Sequence, residues 1–314
     1  MSVIAPARPL RLLRARGLRL LLILLLPGLL LCLLLTQPRL IEYGWFSLQQ
    51  WLWPQAHAHS LQLASYRADI QAQPLAGVPD DVSALTFDPV RRSLFTLTNQ
   101  NPELIELSLD GQVLRRIALH GFADPEAVEY VAPGLFVIVD ERRQSLVAVR
   151  LDDDTRMLHA SSAESLTLAL QLNGNKGFEG LAWDAARQRL LVAKERDPLR
   201  IYEVSGFPRL DAERLLSVQI HEDPVRDAAL FMRDLSSLSV EPRSGHLLAL
   251  SDESYLLLEL DPAGQPLSSL SLRAGRHGLQ ASVPQAEGMT VDDQGNVYVV
   301  SEPNLFYRFR PPQD

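Results

Sequence analysis

Three glutamates recur in one short frame. Glu126, Glu179 and Glu287 each stand two residues before an apolar residue, in DPEAVEY, KGFEGLAWD and QAEGMTV. DVSALTF and DLSSLSV keep the frame but place Ser83 and Ser236 at that position. With Leu85, Val128, Leu181, Leu238 and Met289 as markers, the frame recurs at intervals of 43, 53, 57 and 51 residues. Carboxylates gathered by such a repeat repel and desolvate one another, so protons, bases or a metal must offset them. A hard cation with oxygen ligands is the economical solution. Ca2+ accepts flexible carboxylate and amide geometry, whereas Mg2+ demands tighter octahedral order.

A second set of polar residues follows an apolar run in each unit: Asn99, Glu141, Glu195, Asp252 and Glu302. If that run is a strand antiparallel to the one carrying the frame, its end lies level with the start of the first, and both sets meet at one mouth. Asp81, Asp124 and Asp234, four residues before their markers, compete with a plainer role, since acids at strand ends often accept from turn N–H groups. The same plain role stays open for the second set. His120, His159, His221, His246 and His277 are scattered without zinc or dyad spacing. His120 and His277 precede units two and five and could overhang a channel mouth, although packing explains them as well. No GxSxG elbow supports a serine hydrolase.

The elements that must position these residues are short strands. The first unit, from Asp81, reads strand, Asp-Pro turn, strand, Asn-Pro turn, strand, Asp-Gly turn, strand. Asp110-Gly111 is a hairpin signal. Three or four strands at this period predict an all-β, five-bladed β-propeller, with six blades as the alternative and a β-sandwich as the structural runner-up. In a propeller the first strand of each blade lines the channel. Unit five lacks a strand, and the stretch near Leu61–Ile70 can supply it and close the ring. Only residues 213–234 and the stretch near Ala160–Leu170 could hold a helix.

Before the repeats the chain changes character. Residues 1–17 form a basic cytoplasmic segment, 18–36 a transmembrane anchor, 37–60 a juxtamembrane linker with three of the four Trp, and 61–314 the propeller. The alternative is a signal peptide cleaved on export. The arginine excess should stay inside, which places the C-terminal domain in the periplasm, tethered to the inner membrane. Cys32 is the only cysteine and lies in the apolar run, so the outer domain has neither a disulfide nor a cysteine metal cluster. Residues 1–59 carry six Arg and one Glu, a net +5, which leaves −13 for residues 60–314 of a chain whose net is −8. Such a domain is a poor nucleic-acid binder. It suits cations, or is simply kept soluble by its charge. Closed blades leave few free sheet edges, so a monomer is expected.

The wording and order of LTFDP, LFTLTNQNPELIELSLDGQVLRRI, GFADPEAVEY, GLFVIVDER, KGFEGLAWD, DLSSL, LLALSDES and AEGMTVDDQGNVYVVSEPNLFYRF resemble the SdiA-regulated, YjiK-like family of bacterial proteins, from about Leu61 to Phe309. The resemblance implies an N-terminal membrane helix, a five-bladed propeller and a bound calcium at a shared acidic site, carried here onto Glu126, Glu179 and Glu287. The family is distantly similar to calcium-dependent phosphotriesterase and lactonase propellers and to strictosidine-synthase-like proteins. Its name records regulation by a quorum-sensing regulator and implies no mechanism. Two functions follow as expectations. One is a non-catalytic module that binds or scaffolds an unknown small molecule or protein in the periplasm. The other is a Ca2+-dependent hydrolase of lactones, esters or phosphoesters, in which the ion polarises an oxygen and a carboxylate or His acts as base.

Overall fold

A computed structural model describes residues 60–168, 177–211 and 217–312, with 25, 27, 28 and 44–48 before them. The chain divides into two compact units, Met1–Leu52 and Trp53–Asp314. In the first unit, residues 44–48 are helical. The expected anchor at 18–36 lies outside the described residues apart from positions 25, 27 and 28. No helix among the described residues is long and apolar enough to cross a membrane.

The second unit is a five-bladed β-propeller. After β1 (Arg67–Pro74), blade 1 holds β2 (Val82–Asp88), β3 (Ser93–Thr98), β4 (Glu103–Leu107) and β5 (Val113–His120). Blade 2 holds β6 (Pro125–Ala132), β7 (Leu135–Asp140) and β8 (Ser145–Arg150); the chain then lends β9 (Met157–His159) to blade 1, parallel to β5, and returns as β10 (Glu164–Thr167). Blade 3 is β11 (Phe178–Asp184), β12 (Arg189–Lys194), β13 (Arg200–Ser205) and β14 (Gln219–Glu222). Blade 4 is β15 (Ser237–Val240), β16 (Leu247–Ser251), β17 (Leu256–Leu260) and β18 (Pro266–Ser271). Blade 5 is β19 (Ala286–Val291), β20 (Val297–Ser301), β21 (Leu305–Arg310) and the returning β1.

Blades packed on both faces explain why the alternation in sequence is only partial. Every residue of β3, β7 and β16 is buried, whereas the outer β5 and β18 alternate. Apolar side chains fill the spaces between blades, as where the rings of Phe95 and Phe136 meet at 4.8 Å. Of the two stretches that could have held a helix, residues 213–234 do hold a short one, and the stretch near Ala160–Leu170 holds only a 3-10 turn among its described residues. Ala160–Ser162 is a single 3-10 turn before β10, and the later stretch contributes β14 and the five-residue helix Pro224–Ala228. Edge strands are needed there to complete blades 2 and 3, and that demand overrides local helix preference.

The closing strand starts six residues later than the sequence pattern suggests, at Arg67. Residues 61–66 instead strap blades 4 and 5 together. Leu61 N donates to Glu259 Oε1 (2.8 Å), Leu63 N to Ser268 Oγ (3.1 Å), and the Tyr66 hydroxyl to Gly295 O (2.9 Å). Arg308 on β21 then holds β1 through both oxygens of Asp69 (3.0 and 2.8 Å) and reaches Asp110 of blade 1 at 2.7 Å.

The inner strands β2, β6, β11, β15 and β19 contact one another in a closed ring. The fit is tight at two glycines. A Cβ on Gly288 would run into the carbonyl group of Ala84, and one on Gly180 would lie 2.9 Å from Ala193 Cβ and 3.2 Å from Leu238 N. Gly288→Ala should therefore cost about 2 kcal/mol through overpacking, while the exposed Ala185→Gly stays within about 0.5 kcal/mol. Urea unfolding of the two variants checks this.

Candidate metal centre

The three frame glutamates are the residues that β-bulges leave unpaired. The β6–β7 ladder steps from Pro125 to Ala127 over Glu126. β11 steps over Glu179 between Phe178 and Gly180, and β19 over Glu287 between Ala286 and Gly288. A bulged residue leaves the strict alternation of the ladder, which re-aims its side chain. The serines at the equivalent position lock blades instead. Ser83 Oγ donates to Glu126 O at 2.7 Å, and Ser236 Oγ donates to Ala286 O at 2.7 Å.

The second set sits where strand antiparallelism puts it, and Asn99, Glu141, Glu195 and Asp252 each bond to the next blade. Asn99 Nδ2 donates to Glu126 Oε1 at 2.8 Å, the Gly177 amide donates to the Glu141 carboxylate, and the Ala286 amide donates to Asp252 Oδ1 at 3.1 Å. Glu195 accepts from the Leu235 amide through its carbonyl (2.9 Å), and its carboxylate pairs with Arg196 at 2.7 Å. Glu302, bonded by Gln285 at 3.1 Å, raises the proton affinity of Glu287. A side chain on residue 177 would collide with Glu141, so Gly177 is what lets that carboxylate lie over the start of β11.

These groups do not gather into one knot. Ligand-type oxygens of Asp124, Glu126 and Glu141 lie within 4.8 Å of one another, a geometry that could hold a metal ion. Glu179 and Glu287 stand outside that cluster. Glu179 lies close enough to feel Glu195, Glu287, Glu126 and Glu141, yet its oxygens are not among those of the cluster. The three Asp residues also part company. Asp81 Oδ2 accepts the amides of Asn99 (3.1 Å) and Gln100 (2.6 Å), and Asp234 accepts those of Asp252 and Glu253 (3.2 Å each). Those two cap turns. In blade 2 the equivalent amide, Glu141 N, donates to the carbonyl of Asp124 at 2.9 Å instead, which leaves the Asp124 carboxylate for the cluster. Among the described residues, no histidine joins the acidic cluster. His120 and His159 stack at 5.3 Å on outer strands, and His277 is fixed by Tyr66 O (3.0 Å) and Ser271 N (3.2 Å) beside the closing strand.

A sequence profile described as SdiA-regulated matches residues 58–310. The chain belongs to the SdiA-regulated family. Among solved structures, this SdiA-regulated propeller is similar to a luciferin-regenerating enzyme (TM-score 0.49, 11% identity, 77% of this chain and 95% of that one). It is also similar to XC5397 from Xanthomonas campestris, described as a gluconolactonase (TM-score 0.47, 13% identity, 81% and 93%). A nidogen/laminin complex gives a TM-score of 0.46 at 15% identity, over 75% of this chain and 84% of that chain.

Electrostatically, the acidic mouth of the SdiA-regulated propeller is under strain. Burial pushes the Glu126 carboxyl up to about 8, with Glu141 and Asp124 adding to it and Asn99 and Ser83 pulling back. Burial, then Glu302 and Asp252, pushes Glu287 to about 7. Glu179 is raised well above the usual range by burial and by Glu195, Glu287, Glu126 and Glu141 in turn. Glu141, Asp252, Glu302 and Asp234 are raised too, first by burial. Among the described residues, Arg142 reaches Asp124 at 3.2 Å from an exposed position and Arg196 pairs with Glu195. Neither Glu179 nor Glu287 hydrogen-bonds to a described residue. Asn99 Oδ1 is buried with no hydrogen-bond partner, an acceptor free to face a cation.

One regularity in the frame is absent from the sequence reading. Three residues after the marker, Asp88, Asp184, Glu241 and Asp292 accept turn amides at the far end of the inner strands. The same repeat alignment that exposes the glutamates exposes these acids. The raised carboxyls at the mouth bind more protons folded than unfolded. Their stability contribution is therefore full below the ordinary value of 4.5 and is lost as pH rises towards about 8. In EDTA, the urea midpoint should fall between about pH 5 and about pH 8, and Glu126→Gln/Glu287→Gln should flatten that slope.

Proposed function

We propose that this protein is a membrane-anchored periplasmic propeller that binds Ca2+ at its acidic mouth and serves as a binding or scaffold module for a small-molecule or protein ligand. One observation carries the reading: Asp124, Glu126 and Glu141 bring oxygens within 4.8 Å of one another, with Arg142 reaching Asp124 from an exposed position. The donor set is all oxygen, as a hard cation requires. Asp124, Glu126 and Glu141 would hold the ion, with Asn99 Oδ1 and Glu179 next to them. The cation would supply the positive charge that lets these carboxyls ionise, and would tie blade 1 to blades 2 and 3. The basic residues 1–17 and the apolar run 18–36 support a tether with the propeller outside the inner membrane.

The second reading, a Ca2+-dependent hydrolase of lactones, esters or phosphoesters, draws on Glu287. A carboxyl held at about 7 can accept a proton at neutral pH, as a general base must. In that reading the ion polarises a carbonyl or phosphoryl oxygen.

Calorimetric titration of the purified protein with CaCl2, followed by melting curves, tests the metal. The wild type should bind and melt higher, and Glu126→Gln/Glu141→Gln should do neither. A wild type indifferent to millimolar Ca2+ ends the metal reading. Ca2+-dependent turnover of a lactone, ester or phosphoester panel that disappears in Glu287→Gln would favour the hydrolase over the scaffold. For the tether, protease added to intact spheroplasts should digest the propeller and leave a short membrane-embedded N-terminal fragment. Full protection would place the domain on the other side.

A further inference from the structure

The other end of the channel carries a feature that neither the metal nor the blade packing uses. A cavity of about 280 Å3 opens between the turns joining first and second strands. Phe87, Tyr130 and Trp183 contribute its rings, and Thr86 and Thr290 contribute hydroxyls. Glu129 also lines it, one position after the marker Val128. The other four residues at that level are Thr86, Ala182, Ser239 and Thr290, so Glu129 is the only acid there.

Its surroundings set Glu129 apart from the other acids at this mouth. Asp184 pairs with Arg187 (3.0 Å) and Arg189 (3.1 Å), Glu241 with Arg243 (2.7 Å), and Asp293 with Arg92 (2.7 Å). Among the described residues Glu129 has no ion pair. Its Oε2 accepts from Thr86 Oγ1 at 2.8 Å and its Oε1 from Trp183 N at 3.1 Å, which fixes the carboxyl across β2, β6 and β11. A carboxylate has room for about four such bonds, so half its capacity stays free. Burial pushes it up to about 8, with no charged neighbour contributing in either direction. The site is therefore a preoriented carboxyl without a counter-ion, in an aromatic-lined cavity that a small ligand can enter.

We propose that this cavity is a second ligand site, distinct from the acidic mouth, that takes a small organic cation: an amine or methylated ammonium carried on an apolar body. The ammonium supplies the counter-charge that Glu129 lacks, and its apolar part lies among Phe87, Tyr130 and Trp183. Aromatic rings favour a cation over a neutral group of the same shape, and few polar groups in an otherwise apolar cavity fix orientation. The proposal does not depend on Ca2+.

The test is calorimetric titration of the purified full-length protein with benzylammonium and benzyltrimethylammonium chloride, beside neutral benzyl alcohol. Wild type should bind at least one cation about 10-fold or more tightly than the alcohol, the size expected of one desolvated charge contact. Glu129→Gln should erase that advantage while the melting temperature and the Ca2+ titration stay as in wild type. Thr290→Leu, which fills the cavity without touching either hydrogen bond of Glu129, should abolish binding of cation and alcohol alike. Equal affinity for cation and alcohol, cation binding that survives Glu129→Gln, or no binding at 10 mM would each overturn the proposal and leave Glu129 as a strut between blades. A failed Ca2+ titration with intact cation binding would remove only the metal reading.

Discussion

No side chain fits between residue 288 and the carbonyl of Ala84, and scarcely any fits between residue 180 and Leu238. Five inner strands closed into a ring this tight cannot all keep a regular ladder at their starts. Four of them bulge near their starts, β2 between Ser83 and Thr86, and in the other three the bulged residues are Glu126, Glu179 and Glu287. The glycines after Glu179 and Glu287 admit the neighbouring blade, and the bulge releases the glutamate from the ladder. Packing of the ring and presentation of the carboxylates are thus one constraint.

The two ends of the channel use the same residue types to opposite effect. At the first-to-second-strand turns, backbone amides hold Asp88, Asp184, Glu241 and Asp292, and arginines pair with Asp184 and Glu241. Asp184 and Glu241, though burial works against ionisation, are held below the ordinary carboxylate range by bonds from Arg187 and Ser244. At the other end the amides are taken by Asp81, Asp140 and Asp234. Glu126, Glu179 and Glu287 are left buried beside other acids, and their proton affinities rise. Supply of backbone donors separates the charges that hold turns together from those available to a ligand.

Closure depends on a different economy. The strand completing blade 5 comes from the other end of the domain, and Arg308 secures it while also reaching blade 1. Residues 61–66, ahead of that strand, bind the edge of blade 4. The ring is therefore sealed on its outer face by hydrogen bonds and ion pairs, and on its inner face by steric fit.

The propeller, its repeats, the need for a strand before the first repeat and the shared level of the two polar sets are legible in the residue pattern alone. Each of these follows from local pattern: strand period, turn residues and the geometry of an antiparallel pair. The roles of Asp81, Asp124 and Asp234 did not follow. They occupy one place in the repeat, yet only Asp124 joins Glu126 and Glu141, because in that blade the amide of Glu141 bonds the carbonyl of Asp124 rather than its carboxylate. Nor could the pattern separate Glu129 from the other acids. Its isolation is defined by Thr86, 43 residues away, and Trp183, 54 residues away, on the two flanking blades. Only closure of the ring brings those partners together, so the tertiary structure decided which acids are satisfied and which remain open to a ligand.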